Sequence, residues 1–155
     1  MLTEERRNEL LERYREGPRV IEAALRELSP EQMDNSHEGW TPRQVIHHVA
    51  DSEMTSAIRL RRLIAEDRPR IEGYDQELFA KELYYGERPV EASLTAISGA
   101  RASSASLLDC LTPEQWRREG THSELGAYSV ERWLEVYTDH CHDHADQIRR
   151  AAQQP

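Results

Sequence analysis

The chain marks a helix start three times in the same way, at Ser29-Pro30-Glu31-Gln32, Thr41-Pro42-Arg43-Gln44 and Thr112-Pro113-Glu114-Gln115. Each sets a hydroxyl at the N-cap to accept from an orphan backbone amide. A proline follows at the first helical position, where its missing N–H is no loss, and a glutamine at the third reaches back to the cap. From these marks the sequence predicts a first helix from Thr3 to Leu28, kinked or broken at Gly17-Pro18. A second runs from Thr41 to Glu66 and is ended by Arg68-Pro69, and Asp75 caps a short helix reaching towards Tyr85. Pro89 opens a third long helix through Leu111, and the last spans Ser129 to Ala152. The polar stretch from Glu119 to Ser129, with Gly120 and Gly126, reads as a loop or small hairpin, and no real sheet is expected.

Four long helices imply an all-α chain: a four-helix bundle, up-and-down or crossover, with short extra helices in its connections and a single domain over residues 1–155. The balance of 37% hydrophobic to 32% charged residues suits a bundle with solvated outer faces. A net charge of −9 opposes binding to nucleic acid or to an anionic membrane. Arg59, Arg61, Arg62, Arg68 and Arg70 are the one cationic concentration, read as solvated surface with an anion-binding rim as the alternative. Two cysteines, Cys110 and Cys141, and a charged, helical N-terminus place the chain in the reducing cytoplasm, the cysteines serving as small apolar residues. No apolar run approaches the length of a membrane span.

The last helix carries the chemistry. Val130, Trp133, Leu134, Tyr137, His140, Cys141, His144 and Ile148 recur at steps of three and four, which puts His140 and His144 on the apolar face and turns His142 away. Two imidazoles one turn apart on a buried face cannot both be charged, and as neutral rings each needs a partner. A shared transition metal ion resolves the conflict, since neighbouring turns present two ring nitrogens to one ion. A third ligand must come from the second helix, which offers His47 and His48. Periodicity leans to His48, with His47 turned towards the side of Asp51 and Met54. His47, His37, His122 and His142 are assigned to loops or outer faces. Cys141, three residues before His144, is an alternative ligand. Asp51 and Glu53, within a turn of His48, are candidates to orient its imidazole or to act as general base.

The segments WTPRQVIHHVADSE from Trp40 to Glu53, PRIEGYDQELFA, THSELGAYSVERWLEVY and HCHDHADQI occur in this order, and together the chain from Trp40 onward resembles the DinB/YfiT-like superfamily, in its YfiT and bacillithiol-transferase branch. The resemblance implies a four-helix bundle with a three-histidine nickel or zinc site, and it places the ligands on His48, His140 and His144. It further implies a homodimer acting on a small molecule, as a metal-dependent hydrolase or as a transferase of a low-molecular-weight thiol. The chain departs from the branch at Asp139, Asp143 and Gln147, where relatives tend to carry histidines and a Trp, and at Ser123, where a Pro is usual.

Three histidines from two helices leave an ion coordinatively open, as catalysis requires. Hydrolysis by acidified water and attack by a metal-activated thiolate need the same ligands. A third reading is a metal or small-ligand binding module without turnover.

Overall fold

The computed structural model describes residues 1–36 and 39–153. Its long helices are α1 (Glu4–Arg26), α2 (Pro42–Ala65), α4 (Glu91–Leu108) and α6 (Val130–Ala151), with short helices α3 (Gln76–Glu82) and α5 (Pro113–Trp116) in the connections. The caps explain the boundaries. Thr41 and Thr112 each form a reciprocal capping box with the glutamine three residues on, and Thr3, Asp75 and Ser129 cap with their side chains. The third mark, at Ser29, yields only a 3-10 turn over Glu31–Asp34.

α1 packs on α6 and α4, and α2 packs on α6 and α4. The helices therefore run round the bundle in the order α1, α4, α2, α6. The consecutive pairs α1 and α2, and α4 and α6, face each other across its diagonals, so the crossover arrangement is the one adopted.

Two of the expectations need correction. α1 is not broken at Gly17-Pro18 but continues with Pro18 inside it. The ring removes the N–H that would bond the Tyr14 carbonyl, and the Nη1 of Arg101 on α4 donates to that carbonyl instead, at 2.5 Å. Gly17 makes the approach possible, because a Cβ there would lie 2.2 Å from Arg101 Nη1. There is also a sheet, small but real. β2 (Glu119–His122) and β3 (Gly126–Ser129) form the antiparallel hairpin, and β1 (Arg70–Ile71) adds to β2 in parallel. Gly126, at φ 73°, closes the hairpin loop. Gly120 lets the Pro69 carbonyl come within 2.2 Å of where a Cβ would stand. Ile71 and Tyr128 join the sheet to the core.

The core falls into two apolar clusters. One gathers Tyr14, Leu60, Leu63, Trp133 and Leu134; the other gathers Ile21, Val45, Ile46, Val49 and Ile148. Arg101, 1% exposed, and Glu53, 0% exposed, lie buried with them.

Candidate metal centre

His48 stands on α2, whose capping box fixes where its first turn begins, and His140 and His144 lie one turn apart on α6. Their ligand atoms all lie within 4.8 Å of one another. Ring centroids are 4.6 Å apart for His140 and His144, 4.8 Å for His48 and His144 and 5.8 Å for His48 and His140.

The hydrogen bonds assign the tautomers. His140 Nδ1 is 3.1 Å from Glu53 Oε1. An ionised carboxylate can only accept, so Nδ1 carries the proton and Nε2 keeps its lone pair. His144 Nδ1 meets Gln147 Oε1 at 2.7 Å, which leaves its Nε2 free in the same way. His48 Nδ1 is buried with no hydrogen-bond partner. Burial, reinforced by the other imidazoles, pushes His48 down to about 3 and His144 down to about 4, so both are neutral at physiological pH. Neutral rings with free lone pairs and an orphaned nitrogen are what a divalent transition metal ion fits.

Glu53 is buried, which works to raise its pKa. Arg101 and the hydrogen bond with His140 outweigh burial, and the carboxyl is held below its ordinary value. Arg101 Nη2 donates to Glu53 Oε1 at 2.9 Å and to the Tyr137 carbonyl at 2.6 Å. With its bond to Tyr14, this one side chain on α4 touches α1, α2 and α6. Glu53 therefore orients His140, not His48. Asp51 accepts from the Tyr85 hydroxyl at 2.5 Å, which engages it away from the three histidines.

Cys141 is fully buried beside Glu53 and His140 and outside the three-histidine group. Glu53, His140 and Cys141 also come close enough together to hold an ion. That set is the poorer one. Glu53 is already paired with Arg101, and burial pushes the Cys141 thiol up, away from the thiolate a metal needs.

Two histidines are not where periodicity puts them. His47 is buried, with Nδ1 2.8 Å from Ser93 Oγ and Nε2 3.1 Å from the Arg88 carbonyl. His122, in β2, is also buried, against Tyr128 of β3. Both belong to faces that α2's neighbours and the sheet cover, which helical periodicity alone does not register. His142 is half-buried, its Nε2 3.1 Å from the Arg13 carbonyl, and His37 lies outside the described residues. Among the departures from the branch, Gln147 serves the centre, Asp139 pairs with Arg13, and Ser123 accepts from the Gly73 amide.

A cleft of about 250 Å³ lined by Trp40, Gln76, Glu77, His144 and Gln147 reaches the centre at His144. Trp40 sits edge-on to His48 at 5.0 Å between centroids, and its Nε1 donates to Glu77. No helix among the described residues is long and apolar enough to cross a membrane.

A family profile described as the DinB superfamily matches residues 13–148. A protein of Oceanobacillus iheyensis is 38% identical over 143 residues, covering 91% of this chain and 83% of the relative. One from Bacillus mycoides is 31% identical over 149 residues, covering 95% and 86%. Both are named as candidate metal-dependent hydrolases. Among solved structures, YfiT from Bacillus subtilis superposes with a TM-score of 0.90 at 27% identity, over 97% of this chain and 88% of that one. It is described as a candidate metal-dependent hydrolase with an unusual four-helix bundle topology.

Proposed function

The chain belongs to the DinB superfamily, and on that footing we propose that it is a metal-dependent hydrolase of a small molecule, with His48, His140 and His144 holding one divalent ion, zinc or nickel. The observation that carries this reading is the tautomer pattern. Glu53 and Gln147 each accept a hydrogen bond from the Nδ1–H of a histidine, so that two Nε2 lone pairs are presented beside His48. An ion held there supplies Lewis acidity, polarising an acyl or phosphoryl oxygen and acidifying water.

The chain's own residues do the rest. Glu53, fixed by Arg101, holds the His140 proton and the ring's direction; it is too buried and too well paired to serve as general base. Trp40 and Glu77 line the approach, which leaves room for a small substrate. Three protein ligands leave a position open for it. Transfer of a small thiol to an electrophile needs the same ligands; the names of the relatives favour hydrolysis. A homodimer in the cytoplasm remains part of the proposal.

Elemental analysis of the purified protein tests the ligand set. About one ion per chain is expected in the wild type and loss of the ion in His144→Ala; full retention there with loss in Cys141→Ala would move the site to Glu53, His140 and Cys141. With a substrate in hand, incorporation of solvent oxygen marks hydrolysis and a thioether product marks transfer.

A further inference from the structure

Among the described residues, the cleft that reaches His144 is lined by Gly39, Trp40, Gln76, Glu77, His144 and Gln147. The Glu77 carboxylate is the only charge in that set. Burial keeps His144 neutral, the other side chains are an indole and two amides, and no lysine or arginine lines the walls. The approach to the proposed ion is therefore negative, in a chain whose net charge is −9.

The carboxylate is both seated and left without a counterion. Trp40 Nε1 donates to Glu77 Oε2 at 3.2 Å, which holds the carboxylate against the indole and leaves Oε1 without a hydrogen-bond partner among the described residues. Lys81, one helical turn on, is the neighbour that would ordinarily pair with Glu77. Its Nζ instead lies 3.1 Å from Glu82 Oε1, and no cation among the described residues pairs with Glu77. An indole beside an unpaired carboxylate suits an alkylammonium group. The ring attracts the cation, and the carboxylate accepts its N–H.

We infer that Glu77, seated against Trp40, forms a subsite for an ammonium group, and that the small molecule acted on at the ion carries a primary amine at the end remote from the bond that is cut. The inference rests on the metal reading above. His144 and Glu77 line the same cleft of about 250 Å³, so a short molecule can reach the ion at one end and the carboxylate at the other. The same carboxylate repels an anionic end, and the subsite thereby sorts substrates by charge as well as by size.

The test uses the full chain loaded with zinc and a series of ω-aminoalkanehydroxamates of increasing chain length. Each is matched with an alkanehydroxamate that ends in methyl where the first ends in ammonium. The hydroxamate anchors both on the ion, so the two differ only at the far end. At the chain length that spans the cleft, calorimetric titration is expected to show the ammonium probe binding about 3- to 10-fold more tightly than its methyl partner, the worth of a cation–π contact and a solvent-exposed ion pair together. Glu77→Gln is expected to erase that preference, with zinc content and the affinity of the methyl probe unchanged; Glu77 is exposed, so the exchange does not threaten the fold. Asp143→Asn removes an exposed carboxylate next to His144 but outside the cleft, and is expected to leave the preference intact. No preference at any chain length, or a preference that survives Glu77→Gln, would overturn the subsite. Equal loss in Asp143→Asn would overturn it too, assigning the effect to the general negative field. Methyl probes that bind the chelator-stripped protein as tightly as the zinc-loaded one are a separate outcome: they sink the metal reading, and the subsite inference with it.

Discussion

Arg101 and Glu53 show how far one side chain's environment decides what its neighbour does. An arginine and a glutamate at 1% and 0% exposure are stable only because each is the other's counterion, and because Arg101 also reaches the carbonyls of Tyr14 and Tyr137. Removing one partner strands the other. Arg101→Met alone is expected to cost about 3–5 kcal/mol, read by urea denaturation. The double variant Glu53→Gln/Arg101→Met removes both charges and is expected to recover most of that stability. Its metal affinity should nevertheless stay about 10- to 100-fold below wild type, because His140 loses the carboxylate that sets its tautomer. A double variant with wild-type metal affinity in a competitive chelator titration would mean the pair only holds the helices together. Neither residue's place was legible in the sequence. Arg101 sits in a run of Ala, Ser and Gly with no local signal of burial, which depends on α1, α2 and α6 at once. Glu53 was legible as a residue near the centre, but which imidazole it serves is fixed by packing.

At the scale of the element, the dipeptide Gly17-Pro18 reads in sequence as a kink or a break and in the fold as a socket. The reason is that a proline's cost inside a helix is an unpaired carbonyl, and that cost vanishes when a donor arrives from outside. Gly17→Ala should be more harmful than its gain in helix propensity suggests. A Cβ there would stand 2.2 Å from Arg101 Nη1 and 3.0 Å from Cys141 Cβ, so the guanidinium must leave the Tyr14 carbonyl or α1 must move off α6. A loss of about 1–3 kcal/mol is expected from chemical denaturation. An alanine that stabilises by the usual glycine-to-alanine increment would show that Arg101 does not need this seat. The helices themselves were legible because their caps are local: Thr41 and Thr112 bond residues three positions on, whatever surrounds them. The parallel strand Arg70–Ile71 was not, since two residues carry no periodicity and the pairing partner lies some fifty positions away. Between His47 and His48, periodicity could do no more than lean to the second, for a related reason. Both are buried, at 1% and 3%, so a face argument that sorts inside from outside has nothing to separate.

The whole molecule stores this chemistry as a dependence of stability on pH. His48 and His144 titrate at about 3 and about 4 when folded, and His47 is lowered too, chiefly by burial. In the unfolded chain all three titrate near about 6.5. Above that value neither state binds protons at these sites and stability is level. As pH falls below it, the unfolded chain takes up protons that the folded one refuses, and each such histidine lowers stability by about 1.4 kcal/mol per pH unit until its folded pKa is reached. Glu53 acts in the same direction lower down: its folded pKa is depressed, so its contribution is present above the unfolded carboxylate value and is lost as pH falls through the folded one. The metal-free protein, prepared with chelator, should therefore hold a constant urea midpoint above about pH 7 and lose stability steeply between about pH 6 and pH 4. His48→Ala/His144→Ala should flatten that slope by about two protons' worth, whatever it does to the midpoint itself. Adding zinc should raise the midpoint most at neutral pH and progressively less in acid, because the ion binds the neutral rings and competes with the same protons. A metal-free midpoint that stayed level down to pH 5 would show that these imidazoles protonate freely in the folded chain, and the dry, neutral centre that an ion requires would not exist.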